Sequence, residues 1–175
     1  DPYSWRGLVN LETTKYSDKL LNAIVFSKEK LPEVIRETDL AGYTGKIELG
    51  EKVLPEGIPV YTGLNDYFSA LLGMGIQNVG DMFDISGTSE HLGVIEENLN
   101  VHTKMVSGPY LKHYVHYGVT ASSGASLDFG LRLCKNGMIN LDEMHRKQPP
   151  IFLPYLNGER APIWDADARG MFFGI

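Results

Sequence analysis

The spacing of apolar residues predicts a chain of short helices and strands. Apolar positions recur at helical spacing after Ser17, so Ser17 is expected to cap a helix that continues to Ile24. A second short helix is predicted to start at residues 30–33, with Pro32 in its first turn. Residues 40–57 are rich in Gly and charged residues, which predicts short strands separated by turns.

The segment from residue 58 to residue 75 has the pattern strand, turn, helix. Residues 58–62 are predicted to form the strand and residues 67–74 the helix, with Asp66 in the turn between them. An acidic residue at this place is usually the N-cap of the helix, and the local sequence favours that interpretation. The alternative is a general base held at the strand end, where open α/β sheets bind ligands. The two interpretations are compatible.

Residues 82–95 alternate in a way that predicts a β-hairpin with Gly87, Thr88 and Ser89 at its tip. Such a tip can offer backbone N–H groups and hydroxyls to a phosphate. Gly also permits a close approach that a side chain would block. A plain hairpin turn explains the same residues, and the local sequence alone favours the plain turn.

A third motif combines a strand-like segment, residues 114–120, with small residues at 121–124 and a predicted helix at 125–133. Small residues at the start of a helix let a flat ligand or another backbone come close. Tight packing of the helix on a sheet is the simpler explanation, and it is preferred for this motif taken alone.

The last part of the chain is predicted to form a short strand at residues 151–154 and a long polar loop at residues 156–170. The loop contains charged residues of both signs, together with aromatic residues, Gly and Pro. Glu159 and Arg160 are expected to pair with Arg169 and Asp165. A structural ion-pair loop is favoured over direct catalysis.

Composition narrows the classes of function. The 175 residues carry a net charge of -6, with 43% hydrophobic and 22% charged residues, which is typical of a soluble globular protein. Scattered basic residues argue against a nucleic-acid partner. No apolar run is long enough to cross a membrane, and no signal peptide opens the chain. The single cysteine, Cys134, is predicted to be a buried thiol in a reducing, cytoplasmic setting.

The histidines do not predict a metal site. His113 and His116 are three residues apart in a strand-like segment, so they should face opposite sides of a sheet. His91 and His102 have no Cys or carboxylate at the spacing of metal ligands, so a zinc site is not expected.

The order and spacing of the motifs resemble those of the FGGY carbohydrate kinases. The run from Gly63 to Gly75 is similar to the family's Gly-rich turn, catalytic Asp and helix ending in Gly-x-Gly. Asp84-Ile85-Ser86-Gly87-Thr88-Ser89 begins eighteen residues after Asp66 and resembles the phosphate-binding hairpin. Residues 124–128 look like the start of the helix beside the nucleotide, and residues 152–158 and 164–174 look like a late loop of the family. The resemblance covers nearly the whole chain.

The resemblance implies an α/β fold of the ribonuclease H-like type found in actin, hexokinase and sugar-kinase ATPases. Two such domains would enclose a cleft. Residues 1–76 would form the C-terminal part of the first domain, and residues 77–175 would form the first part of the second.

The resemblance also implies a xylulokinase-like reaction, in which ATP, with Mg²⁺, phosphorylates a hydroxyl of a sugar or polyol. Asp66 would be the general base, and Asp66 and Tyr67 would contact the sugar. The remaining implied contacts are with the nucleotide. The hairpin residues Gly87, Thr88 and Ser89 would hold the ATP phosphates. Gly124 would let the nucleoside approach, and Asp128 would lie near the ribose or adenine.

Some features of the family are missing or altered. Tyr67 stands where the family commonly has Gln, so no particular sugar is assigned. The phosphate motif Asp-x-Gly-Thr is absent, and the apolar end at residues 172–175 resembles a cut through a folded unit. This segment alone is therefore expected to have no useful kinase activity.

Two other hypotheses remain open. One is a non-catalytic ATP-binding or regulatory relative of the sugar kinases, and the other is a free-standing interaction domain. A homodimer is an arrangement that the sequence allows.

Overall fold

The computed structural model describes residues 1–5, 7–133 and 150–174. These residues contain three α-helices: α1 (Asp18–Ala23), α2 (Asp66–Gly73) and α3 (Gly124–Leu133). The strands are short and follow one another in the order β1 (Val9–Asn10), β2 (Lys15–Tyr16), β3 (Leu40–Tyr43), β4 (Ile47–Leu49), β5 (Lys52–Leu54), β6 (Pro59–Tyr61), β7 (Met82–Ser86), β8 (Glu90–Glu96), β9 (Val106–Tyr110), β10 (His113–Val119), β11 (Ile151–Leu153) and β12 (Met171–Phe173).

The strands form one four-stranded sheet, in the order β7-β8-β10-β9, and several two-stranded sheets. The two-stranded sheets pair β1 with β2, β3 with β6, β4 with β5, and β11 with β12, each antiparallel. Strands β7 and β8 are also antiparallel, with Ser86 opposite Glu90 at the end of the hairpin.

The chain divides into two compact units. Unit 1 contains Asp1–Val79, Ile95–Leu99 and Gly108–Val115, and unit 2 contains Gly80–Val94, Asn100–Ser107 and the described part of His116–Ile175. The proposed domain boundary after residue 76 stays a prediction.

Unit 1 is built around aromatic side chains that hold α2 in place. The Phe68 ring contacts the Tyr3 ring at a centroid distance of 4.2 Å and the Tyr110 ring at 5.1 Å. The Tyr110 hydroxyl donates a hydrogen bond of 2.7 Å to the Ile76 carbonyl just beyond the helix. Phe68 and Leu71 are almost fully buried, and each such side chain contributes about 1.5–3 kcal/mol through removal from water. The position of α2 is therefore fixed by its buried face.

Unit 2 packs the rings of the β7–β8 hairpin onto β10 across a glycine. A Cβ atom at Gly93 would lie 2.4 Å from the Phe83 ring and 2.7 Å from the His116 carbonyl. The backbone of β8 can approach its neighbours this closely because Gly93 has no side chain. Phe83 and Tyr117 are both buried and fill the space that Gly93 leaves.

Most elements expected from the sequence are present. The Ser17 cap is confirmed, since the Ser17 hydroxyl accepts the Leu20 N–H at the start of α1. The short strands within residues 40–57, the strand–turn–helix ending in α2, the β7–β8 hairpin and helix α3 are also confirmed. Strands β1, β2, β9 and β12 were not expected. The interpretation of Cys134 as a buried thiol lies outside the described residues.

The helix predicted to start at residues 30–33 is wrong. A single 3₁₀ turn, Lys28–Lys30, is found there, and Leu31 is extended, with φ -98° and ψ 145°. The Pro32 ring clashes with a helical conformation of the residue before it, which places Leu31 in the extended region. The chain therefore leaves helical geometry before Pro32.

No helix within the described ranges is long and apolar enough to span a membrane.

Candidate functional site

Asp66 is the first residue of α2, and the residue before it caps the helix. Asn65 is extended, with φ -66° and ψ 168°, and its side-chain oxygen accepts the Phe68 N–H at 2.9 Å. The interpretation of Asp66 as the N-cap is therefore wrong. A cap needs non-helical backbone, which Asn65 has, whereas Asp66 already lies within the helix.

The Asp66 carboxylate is exposed at the N-terminal, positive end of α2. Its Oδ1 accepts the N–H of the next residue, Tyr67, at 2.8 Å. The N-terminal turn of a helix favours a negative charge through its unpaired N–H groups and its dipole. Because Phe68 anchors the helix in the core, Asp66 is an exposed acid on a fixed support.

Tyr67 is half-buried beside Asp66. Its ring packs against Phe68 at a centroid distance of 5.5 Å. Tyr67 is therefore tied to the same aromatic core that holds α2.

The tip of the β7–β8 hairpin is bonded to the start of α3 through its carbonyl groups. The Gly87 carbonyl accepts the Gly124 N–H at 2.9 Å. The Thr88 carbonyl accepts the Ser123 N–H at 2.9 Å and the Ala125 N–H at 3.4 Å. The structure thus brings together the hairpin tip and the small-residue segment that the sequence singled out separately.

This bonding decides which way the tip peptides face. In a trans peptide the C=O and N–H groups point in opposite directions. The carbonyls of Gly87 and Thr88 point towards α3, so the N–H groups of Thr88 and Ser89 point away from it. No group in the described part of the chain accepts a hydrogen bond from these two N–H groups or from the Thr88 and Ser89 hydroxyls. The tip therefore has two unused N–H donors on the side away from α3 and two unused hydroxyls.

The two glycines at this contact have different roles. A Cβ atom at Gly124 would lie 2.5 Å from the Gly87 carbonyl oxygen, so packing against the hairpin explains this glycine. A Cβ atom at Gly87 would meet nothing nearer than the Ser89 oxygen at 3.8 Å, so packing does not explain Gly87. A direct contact of Gly124 with a nucleoside stays a prediction.

Asp128 is exposed on α3, one turn after Gly124.

His91, in β8, stacks on Tyr117 at a centroid distance of 5.7 Å. Burial, and secondly the positive charge of Arg160, lower the pKa of the His91 imidazole. Both effects favour the neutral form of the His91 imidazole, which stacks as an aromatic ring close to the tip.

The ion pairs expected in the loop of residues 156–170 are wrong. Glu159 is buried, and its Oε1 accepts the N–H groups of Ala121 and Arg160, each at 2.7 Å. Arg169 contacts the Asp167 carboxylate at 3.7 Å instead of Glu159. The backbone of Glu159, and not its charge, meets Asp165, through hydrogen bonds of 2.8 and 3.0 Å. The role of Glu159 as an acceptor for backbone groups was not expected from the sequence, because its partner Ala121 lies 38 residues away.

The described residues contain no group of three or more His, Cys, Asp or Glu side chains that could hold a metal ion. His116, which is buried, and His113, which is not, have different environments on β10, as expected for opposite faces of a strand.

Models of protein families match most of the chain. The C-terminal domain of the FGGY family of carbohydrate kinases matches residues 83–175, and the N-terminal domain of the same family matches residues 3–73. The chain belongs to the FGGY family of carbohydrate kinases. The sequence-based recognition of the family is confirmed.

Individual relatives of this FGGY chain agree with the match. It is 30% identical to the xylulose kinase of Lactococcus lactis and 26% identical to a glycerol kinase of Leptospira biflexa, over 96% of the chain in each case. It superposes on the crystal structure of the gluconate kinase of Lactobacillus acidophilus with a TM-score of 0.75, 25% identity and 97% coverage. The ribonuclease H-like fold of the sugar kinases is therefore confirmed.

The FGGY chain covers only part of these relatives. It spans 36% of the length of the two kinases compared by sequence and 37% of the gluconate kinase chain.

Proposed function

We propose that the full-length FGGY protein to which this chain belongs transfers a phosphoryl group from ATP to a hydroxyl of a sugar or polyol. Asp66 is the general base, with Tyr67 beside it against the sugar. Gly87, Thr88 and Ser89 bind the phosphates of ATP, and Gly124 and Asp128 lie on the nucleotide side.

The observation that carries this proposal is the orientation of the hairpin tip. Its carbonyls are bonded to the start of α3, so the N–H groups of Thr88 and Ser89 are available on the other side, and the hydroxyls of both residues are unused. Successive backbone N–H groups in a turn form an anion-binding concavity, and phosphate oxygens are strong acceptors. The open space around Gly87 allows a phosphate to approach the backbone.

Asp66 activates the sugar hydroxyl that accepts the phosphoryl group. A sugar hydroxyl is a weak nucleophile, and phosphoryl transfer depends mainly on positioning and on stabilisation of charge. An exposed carboxylate on the anchored helix α2 can orient the hydroxyl and accept its proton. ATP supplies the phosphoryl group, and Mg²⁺ neutralises charge on the phosphates when it is bound.

A substrate panel tests the proposal. The full-length protein is incubated with ATP, Mg²⁺ and one candidate each time from the ketoses, polyols and aldonates, and formation of ADP is measured. We expect ADP formation that depends on one of these compounds. Binding of ATP without turnover on any of them would favour a non-catalytic relative, and the absence of both would contradict the proposal.

Replacing Gly87 by Ala should weaken ATP binding without weakening the fold. The new Cβ atom would meet only the Ser89 carbonyl oxygen, at 3.8 Å, which is ordinary van der Waals contact, and the backbone of Gly87 is not left-handed. It would, however, project into the space proposed for a phosphate. We expect the KM for ATP to rise about tenfold or more, which corresponds to roughly 1.4 kcal/mol, with the melting temperature almost unchanged.

Gly45→Ala is the matched control, because Gly45 also has open space around it and lies between β3 and β4. It should leave the KM for ATP unaltered. An unchanged KM for ATP in Gly87→Ala would contradict the proposal that the hairpin tip binds a phosphate of ATP.

A further inference from the structure

Glu159 is buried in the loop that precedes β12, with 7% of its surface exposed. Charged residues are rarely buried unless their polar atoms have partners. One oxygen of this carboxylate, Oε1, accepts the N–H groups of Ala121 and Arg160, each at 2.7 Å. The bond to Ala121 ties the loop to the segment between β10 and α3.

The backbone around Glu159 is fixed independently of its side chain. Glu159 and Asp165 exchange two backbone hydrogen bonds, and the Ala161 N–H donates to the Val119 carbonyl at 3.0 Å. Gly158 has φ +78°, and a Cβ atom there would lie 2.8 Å from the Ala166 carbonyl oxygen. The carboxylate is thus presented from a constrained turn.

The segment that receives this carboxylate leads directly to the hairpin tip. Thr120, just before Ala121, donates its N–H to the Glu90 carbonyl at 2.9 Å and accepts the Glu90 N–H on its hydroxyl at 3.2 Å. Just after Ala121, the N–H groups of Ser123 and Gly124 bond the carbonyls of the tip. Residues 119–124 therefore lie between the loop and the tip and contact both.

We propose that Glu159 is a positioning residue for the hairpin tip. Its carboxylate fixes residues 119–124, these residues fix the carbonyls of Gly87 and Thr88, and the carbonyls set the direction of the unused N–H groups. The expected effect of Glu159 on ATP binding rests on the proposed function, whereas its effect on the order of the tip does not.

The chemistry of the contact predicts which variants keep it. Both hydrogen bonds need only an oxygen acceptor, so the amide oxygen of Gln can replace Oε1 of Glu159. Leu has a similar size and no acceptor, and it would leave the part-buried Ala121 N–H unpaired. Glu159→Gln should therefore rescue what Glu159→Leu loses.

The control is His116→Leu, which removes a different buried polar side chain from unit 2. His116 contacts the Ser107 hydroxyl at 2.9 Å and accepts the Asn100 N–H at 3.5 Å, so it fixes another part of the unit. It should lower stability without changing the hairpin tip.

The test combines hydrogen–deuterium exchange with kinetics on the full-length protein. In Glu159→Leu, amide exchange should rise about tenfold at Ala121, which loses its acceptor, and at residues 123–125, whose N–H groups bond the carbonyls of the tip. The KM for ATP should also rise about tenfold, with little change in the KM for the sugar. Glu159→Gln should resemble the wild type in both readouts. His116→Leu should raise exchange near residues 100–107 only.

Unchanged exchange at residues 123–125 in Glu159→Leu would overturn the positioning role, as would equal losses in the Gln and Leu variants. If the wild type neither binds nor uses ATP, the proposed function fails, and exchange at residues 123–125 alone decides the role of Glu159.

Discussion

Replacing Asp66 by Asn should lower kcat of the full-length protein about 10²–10⁴-fold, the usual contribution of a general base. The Asn side chain keeps the size and can still accept the Tyr67 N–H, so the local structure should persist. It cannot accept the proton of the attacking hydroxyl. The KM for ATP should change little, because the proposed phosphate contacts belong to the hairpin tip. Steady-state kinetics with the best substrate of the panel measures both parameters.

Asp18→Asn provides a matched control for this experiment. Asp18 is also the first residue of a helix in unit 1, after the cap Ser17, and its carboxylate is exposed. Loss of an acid at a helix start costs about 0.3–1 kcal/mol, so both variants should lose similar, small amounts of stability. Only Asp66→Asn should lose turnover. Equal kcat values for Asp66→Asn and the wild type would show that Asp66 is not the base.

Replacing Gly124 by Ala should damage both stability and the use of ATP. The new Cβ atom would lie 2.5 Å from the Gly87 carbonyl oxygen, which is backbone and cannot rotate away. Helix α3 and the hairpin tip would have to separate, at a cost of about 1–3 kcal/mol, as in other overpacked sites. The displaced tip should also raise the KM for ATP. Thermal unfolding without ligand, followed by kinetics, separates the two effects.

Gly130→Ala is the control within the same helix, since a Cβ atom at Gly130 meets nothing within 4 Å. Replacing a mid-helix glycine by alanine normally stabilises by about 0.5–1 kcal/mol, so this variant should melt higher than the wild type. Lowered ATP affinity in Gly124→Ala at full thermal stability would mean that the glycine serves the nucleotide directly. Packing against the hairpin would then not be its main role.

Local signals in the sequence were enough to predict most elements. Ser17 has a hydroxyl that can bond an N–H three residues later, and this geometry is contained in one turn. The hairpin tip was equally visible, because Gly87, Thr88 and Ser89 lie between two alternating segments. The failure at residues 30–33 was also local, since the effect of Pro32 on Leu31 opposed the expected helix start.

The cap of α2 could not be chosen from composition. Asn65 and Asp66 are both good capping residues, and the choice depends on which of them has extended backbone. The position of the apolar residues could have favoured Asn65. Phe68 is the first buried residue of α2, and a cap bonds the N–H group three residues after it, which is Asn65 for Phe68.

Contacts between distant residues were beyond the reach of sequence patterns. The small residues near Gly124 were expected to pack tightly, but their partner, the carbonyl of Gly87, is visible only in the fold. Glu159 was assigned to ion pairs because oppositely charged residues lie close to it in sequence. Its carboxylate instead bonds the backbone at Ala121. Backbone groups satisfy a buried acid without any signature in the side chains.

The most direct measurement is the transfer of labelled phosphate from [γ-³²P]ATP to the sugar or polyol chosen from the panel. Wild-type full-length protein and Asp66→Asn are compared side by side. The account predicts a labelled sugar phosphate with the wild type and at least about 100-fold slower labelling with the variant. Equal labelling by the two proteins, or label released only as inorganic phosphate by the wild type, would contradict it.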